Sequence, residues 1–321
     1  MAHRIILAAL LALAPALASA PAFGQERPPR ILAGFAPGGT GDLVARLIAE
    51  GIGNVTGTRV IVENRTGANG LIAAEVVARG PADGSTLLQC PMGSMTISPE
   101  LPGAVLPIDP RTELIGVANI ALSSYGAVTS ARGPYRSMAE VIAAARARPG
   151  SITYASAGVG SAQHLTGARL AAMAGLDLVH VPYRGAAPAS LDVIAGRTDL
   201  LITNLGDVVR QIQGGELRLL ALADAQGVPE FASAPRLADT VPGLEVAGWF
   251  GLCGPRGMPP ESIRRWAEAT ERALQDPTLR QRLLDNGLTP TFEGPDAFAA
   301  RMERDRQAWG ETIRRANIRA D

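Results

Sequence analysis

The chain has 321 residues, with 30 acidic and 30 basic side chains and a formal net charge of zero, and every basic residue is arginine. Aromatic residues make up only 4%, and no basic block is interleaved with them, which excludes the electrostatic footprint of a nucleic-acid binder. The length suits two lobes.

At the N-terminus, Arg4 precedes an almost wholly apolar run over residues 5–18, followed by small residues, the layout of a secretory signal peptide. Ala18-Ser19-Ala20 has the form of a cleavage site but would leave Pro21 just after the cut. Ala22-Phe23-Gly24 is preferred, with residues 1–24 removed and Gln25 as the new N-terminus. The run is interrupted by Pro15 and is short for a membrane span, and no other long apolar stretch follows, so the expected product is exported and soluble.

Ile31-Leu32-Ala33 reads as a strand that ends in a Pro-Gly-Gly turn, and from Asp42 apolar residues at 43, 44, 47 and 48 mark one face of a helix. Glycines at 38, 39 and 41 free the backbone for positive φ and leave its amides uncovered, while Thr40 or Asp42 is placed to cap the helix. Unpaired amides and the positive end of the helix dipole then point the same way, which attracts anions. There is no Gly-Lys-Ser/Thr and no third glycine at dinucleotide spacing, so a nucleotide is a poor guess. A turn that needs glycine only for its geometry is the competing reading.

Residues 59–63 read as a second strand, 64–70 as a turn-rich segment, 71–79 as a helix and 85–90 as a third strand, an α/β alternation with a parallel sheet. The connection at 91–96, with Ser94, follows a strand's C-terminal end, where ligands sit in open α/β sheets. Residues 116–129 read as one or two apolar strands that carry the chain into a second lobe, and Ser137 with Glu140 has capping-box spacing at the start of a helix. The second lobe then repeats the opening: strand 152–154, a glycine-bearing loop at 155–164, and a helix with Leu165, Ala168, Leu170 and Met173. Strands at 179–183, 199–203 and 217–223 follow, with a helix at 189–195, and 245–253 can return the chain to the first lobe. Helices at 260–274, 277–286 and 295–316, each opening on a proline, and a short strand at 289–292 complete it.

The sequence is poor in catalytic sets. His3 leaves with the signal, and neither His164 nor His180 has a cysteine or carboxylate partner at metal-ligand spacing. No Gly-x-Ser-x-Gly elbow surrounds Ser94, Ser156 or Ser161. A hydrolase built on Ser161 and His164 is the alternative, but three residues apart at a helix start the hydroxyl is more naturally a cap or a ligand donor. His180 on an apolar strand reads as a core histidine. Cys90 and Cys253 match no metal or redox spacing and read as buried thiols, with a disulfide the alternative in an oxidising compartment. No enzyme, metal or cofactor is expected.

Taken together, Phe35-Ala36-Pro37-Gly38-Gly39 with Asp42, Val62-Glu63-Asn64-Arg65, Ala82-Asp83-Gly84, Tyr154-Ala155-Ser156 through Gly160-Ser161 and His164-Leu165, His180-Val181-Pro182-Tyr183-Arg184-Gly185-Ala186, Asn204-Leu205 and Trp249-Phe250-Gly251 resemble the solute-binding receptors of tripartite tricarboxylate transporters, the Bug-type periplasmic receptors. The resemblance covers nearly the whole mature chain. It implies a type II periplasmic-binding-protein (Venus-flytrap) α/β fold with crossing hinge strands, lobe 1 being residues 25–127 plus 246–321 and lobe 2 residues 128–245. It further implies a monomeric periplasmic receptor that closes on a small organic acid, whether a di- or tricarboxylate, an aromatic acid or an amino acid, and delivers it to membrane transporter subunits. A ligand-sensing receptor for a signalling partner is the other reading. Ligand contacts are then expected from Pro37, Gly38, Gly39, Thr40, Gly41, Asp42, Ser94, Ser156, Gly160, Ser161, His164, Tyr183, Asn204 and Asp207. Two departures from the family pattern stand out. The first loop's hydroxyl, Thr40, is shifted by one, and Asp207 stands where the family often places Pro-Ser after Asn-Leu, so that it would repel a second ligand carboxylate.

Overall fold

A computed structural model describes residues 28–224 and 231–320. The expected signal segment and its cleavage site lie outside the described residues. One continuous sheet runs through the molecule in the order β2-β1-β3-β9-β4-β7-β5-β6, with β10 and β8 also paired to β4. The strands are β1 (Arg30–Ala33), β2 (Ile61–Asn64), β3 (Thr86–Pro91), β4 (Leu114–Ser130), β5 (Ile152–Ser156), β6 (Leu178–Pro182), β7 (Leu200–Asn204), β8 (Leu217–Leu222), β9 (Ala247–Pro255) and β10 (Leu288–Glu293). The helices are α1 (Thr40–Thr56), α2 (Leu71–Ala78), α3 (Pro110–Glu113), α4 (Met138–Ala147), α5 (Ala162–Ala174), α6 (Ala186–Ile194), α7 (Val209–Gln213), α8 (Leu237–Thr240), α9 (Pro260–Ala273), α10 (Pro277–Leu284) and α11 (Pro295–Arg315).

The sheet has two parallel ends. β1 lies parallel between β2 and β3, and β5 lies parallel between β6 and β7. The 17-residue β4 joins them: it pairs antiparallel with β9 from Leu114 to Ser124, then with β7 from Tyr125 to Val128. A single strand thus crosses from one half to the other where one or two were expected, and its buried, largely apolar residues explain why no turn interrupts it. Val246 N–H donates to Ala223 O, just before β9 carries the chain back.

In the first half, helices cover both faces of the sheet. The apolar face of α1, with Val44, Leu47, Ile48 and Ile52, buries against Trp266, Ala269 and Ala273 of α9. Gly51 makes that approach possible, because a Cβ there would stand 2.8 Å from Leu279 Cδ2 and 3.1 Å from Ala273 Cβ. On the other face of the sheet Phe298 of α11 meets Trp249 edge-on, centroids 4.9 Å apart, and Trp249 Nε1–H donates to Asp305 Oδ2 at 2.6 Å.

Two local expectations are corrected. Cys90 and Cys253 form a disulfide and are not free thiols. They lie 163 residues apart in sequence, but β3 and β9 are hydrogen-bonded neighbours, which brings the two Cα atoms to 5.9 Å, within bonding range. The connection after β3 is helical: residues Gly93–Ile97 form a wide helical turn, followed by a tighter one at Ser98–Glu100. Neither Thr40 nor Asp42 caps α1; the helix starts at Thr40, with Gly39 in the cap position and no side-chain cap bond.

Candidate functional site

A cleft with about 460 Å³ of empty space, open solvent included, lies where the two parallel ends of the sheet face each other across β4. The loop between β1 and α1 enters it with Gly39, Thr40 and Gly41, and the loop between β5 and α5 with Ala157, Ala162 and Gln163. Both glycine-bearing loops follow the C-terminal ends of parallel strands, the edge at which open α/β sheets place ligands. Phe35, Pro91, Tyr125 and Phe250 supply apolar wall, and Asn69, Asn204 and Asp207 supply polar groups.

In the first loop only Gly38, with φ +89°, uses a left-handed conformation; Gly39 has φ −86°. Pro37 and Gly38 are exposed and lie outside the cleft wall. Asp42 is buried and fastens the loop from beneath. Its carboxylate accepts from Gly38 N–H (3.1 Å), Arg46 Nε (3.0 Å) and Asn64 Nδ2 (2.8 Å). Burial works against its charged form, yet the bonds from Arg46, Asn64 and Gly38 outweigh that and hold the carboxyl below its usual range.

One amide opened by this loop, that of Thr40, already has an anion. Asp207, on the helical turn after β7, accepts from Thr40 N–H at 2.6 Å and Thr40 Oγ1–H at 2.7 Å through Oδ1. Its Oδ2 accepts from Thr203 Oγ1 and from Asn204 Nδ2 at 3.4 Å, and the side chain is buried. The first amide of α1, in one half, is therefore paired with a carboxylate from the other. Asn204 is held by Ser123 Oγ–H, which donates to Asn204 Oδ1 at 2.7 Å. Tyr125 is fully buried beside them, and burial, with the charge of Asp207 adding to it, pushes its phenol up so that it stays a neutral hydroxyl.

The second loop is held by its own side chains. Gly158 and Gly160 have φ +134° and +76°. Ser156 Oγ accepts from Gly158 N–H at 3.1 Å and pairs with His180 Nε2 at 2.7 Å. Ser161 is the N-cap of α5, accepting from His164 N–H at 3.1 Å, and His164 Nδ1 accepts from Gly160 N–H at 3.2 Å. His164 stacks on His180 with centroids 4.0 Å apart, and His180 stacks in turn on Tyr154 at 4.9 Å. His180 is thus half-buried in an aromatic stack and not in an apolar core; burial, then the neighbouring His164, pushes it down to about 3. Asn69 Nδ2 reaches from the first half to Gly160 O at 2.9 Å.

The structure therefore brings Gly39, Thr40, Gly41, Asn204 and Asp207 together on the cleft wall. Ser156, Gly160, Ser161 and His164 stand behind it and shape the second loop, while Ser94 donates to Asn69 O and supports the residue that bridges the halves. Tyr183 turns away, its hydroxyl donating to Asp192 Oδ2 at 2.7 Å. Sequence reasoning missed Asn69, Tyr125 and Gln163, which line the cleft from a turn, a strand and a helix start. Phe35 and Phe250 were legible as neighbours of the Ala-Pro-Gly-Gly and Trp-Phe-Gly segments, but nothing in their local pattern showed that they face each other's loops.

The family model of the tripartite tricarboxylate transporter family receptor, TctC, matches residues 44–318. A UPF0065 protein of Cupriavidus necator is 32% identical over 290 residues, 90% of this chain and 87% of its own length. Rpa4515 of R. palustris, solved with adipate, superposes with a TM-score of 0.88 at 31% identity, over 92% of this chain and 99% of that one. The periplasmic binding protein BugD gives a TM-score of 0.86 at 28% identity, over 92% and 99%. The receptor family and the solved structural neighbours are solute-binding proteins and not enzymes. On these matches, the chain belongs to the tripartite tricarboxylate transporter receptor family.

Proposed function

We propose that this receptor captures a small carboxylate-bearing metabolite in the periplasm, in the cleft between its two glycine-bearing loops, and hands it to the membrane subunits of a tripartite transporter. The observation that carries the reading is that both loops, more than a hundred residues apart, wall one cleft. The ligand's carboxylate is held at the second loop, by main-chain amides at the start of α5 and the Gln163 side chain, since charge-assisted bonds from amides are stronger than neutral ones. The adipate in Rpa4515 supports an organic acid as the ligand class. The lobes are residues 25–127 plus 246–321 and residues 128–245. Supporting that division, β4 changes partner between Ser124 and Tyr125, and the chain recrosses beside Ala223 at Val246. The receptor acts as a monomer.

A thermal-shift screen of mono-, di- and tricarboxylates, aromatic acids and amino acids on the mature protein tests this. A true ligand at roughly 100 times its Kd stabilises the fold by about 2.7 kcal/mol. Folded, ligand-free protein that no acid stabilises would overturn the receptor reading, and light scattering on the same sample checks the monomer.

A further inference from the structure

The first loop's anion site is taken by the protein's own carboxylate. Asp207 Oδ1 accepts both Thr40 N–H and Thr40 Oγ1–H, and Oδ2 accepts Thr203 Oγ1 and Asn204 Nδ2. Four donors satisfy the roughly four lone-pair positions of a carboxylate. All four are neutral, and among the described residues no ion pair involves Asp207, so its charge is not cancelled by a cation. The group is 8% exposed and lines the cleft.

Two consequences follow for any ligand at this end. The amide and the hydroxyl of Thr40, at the start of α1, are no longer free to bind a second ligand carboxylate. A carboxylate placed here would also face a like charge in a partly desolvated setting, where the repulsion is weakly screened. What remains around Asp207 is uncharged: the aromatic rings of Phe35, Tyr125 and Phe250, and, beside Gly41, the fully buried amide of Gln89, neither of whose polar atoms has a partner. Gln89 Oε1 lies 3.0 Å from where a Cβ on Gly41 would stand.

From this we infer that Asp207 is a specificity-determining residue: it replaces one ligand carboxylate at the start of α1, so the cleft selects acids with a single carboxylate whose opposite end is uncharged or cationic. The inference rests on the receptor reading of the cleft. It differs from a general preference for organic acids by assigning the two ends of the ligand opposite electrostatic demands.

The test is calorimetry with length-matched probes on the mature protein. The sets are succinate, butyrate and 4-aminobutyrate; adipate, hexanoate and 6-aminohexanoate; and terephthalate, benzoate and 4-(aminomethyl)benzoate. Wild type is expected to bind a monocarboxylate or amino acid of one set at least about tenfold more tightly than the matched dicarboxylate. Asp207→Ser, which frees the Thr40 donors, and Asp207→Asn, which keeps the shape without the charge, should each move that ratio by about tenfold or more towards the dicarboxylate, with the ammonium-bearing probes losing most. A wild type that prefers the dicarboxylate, or a ratio that neither variant moves, overturns this inference while the observed binding leaves the receptor reading standing. Absence of binding by every probe to every variant overturns both.

Discussion

At Ser161 the geometry decides between two roles that the same hydroxyl could play. The residue is 1% exposed and its hydroxyl oxygen accepts from His164 N–H, so Ser161→Ala should remove an N-cap and cost about 1 kcal/mol of stability while leaving ligand affinity nearly unchanged, a split that denaturant unfolding and calorimetry together resolve. Gly160 has less tolerance. Its φ is +76°, and a Cβ would stand 2.8 Å from Ser98 Oγ, so Gly160→Ala meets both strain and a clash and should destabilise by about 1–3 kcal/mol in the same unfolding assay. His180 links the second loop to pH. The folded state holds it near 3 against 6.5 in the open chain, so between those values the unfolded chain binds the extra proton. Stability is complete above pH 6.5 and is lost as pH falls below it, at less than the limiting rate of about 1.4 kcal/mol per pH unit because the ring is only half-buried. Urea unfolding between pH 7.5 and 5 should show this decline, and His180→Phe should flatten it.

Among the elements, the β3–β9 pair is what the disulfide reports. The cross-link closes a loop across 163 residues of sequence, and loop closure of that length is worth up to about 5 kcal/mol, with about 2–4 kcal/mol more usual. A Cys90→Ser, Cys253→Ser double variant should therefore unfold at a denaturant midpoint lower by an amount in that range. It should bind the same ligand, because β3 and β9 are still hydrogen-bonded along four residue pairs. The cysteines could not have been paired from spacing, since only the return of the chain along β9 makes them neighbours. The helices were more legible. α9, α10 and α11 each begin at the proline that the sequence marked, because proline fits a first turn whose N–H would be unpaired in any case.

Across the whole molecule, side chains tie the halves together at the cleft: Asp207 to Thr40, and Asn69 Nδ2 and Ser98 Oγ to Gly160 O. Gly93 packs as closely, since a Cβ there would stand 3.0 Å from Ala162 N. Removing the Asn69 and Asp207 ties with Asn69→Ala and Asp207→Ser should shift the ligand-free protein towards a more open form, read as a larger radius of gyration by small-angle scattering, with ligand restoring the compact value. An unchanged radius would show that β4 and β9, with the remaining Ser98 and Gly93 contacts, hold the halves in place.

The sequence by itself determined what is local. The strand, glycine loop and helix units at 31–48 and 152–173 could be read because apolar periodicity, turn glycines and capping residues act within a few positions of one another, and the motif order was enough for the family. Tertiary structure decided which of those residues meet. The charge of Asp207 was visible in the sequence, but not that it would be seated on Thr40, 167 residues away. In the same way Tyr125 reads as one more apolar strand residue until β4 crosses between the halves and turns it towards Asn204. The physical reason is common to the disulfide, the cleft wall and the Asp207 contact. Each depends on distances set by sheet order and by the crossing of β4, and no local pattern encodes a distance between residues so far apart along the chain.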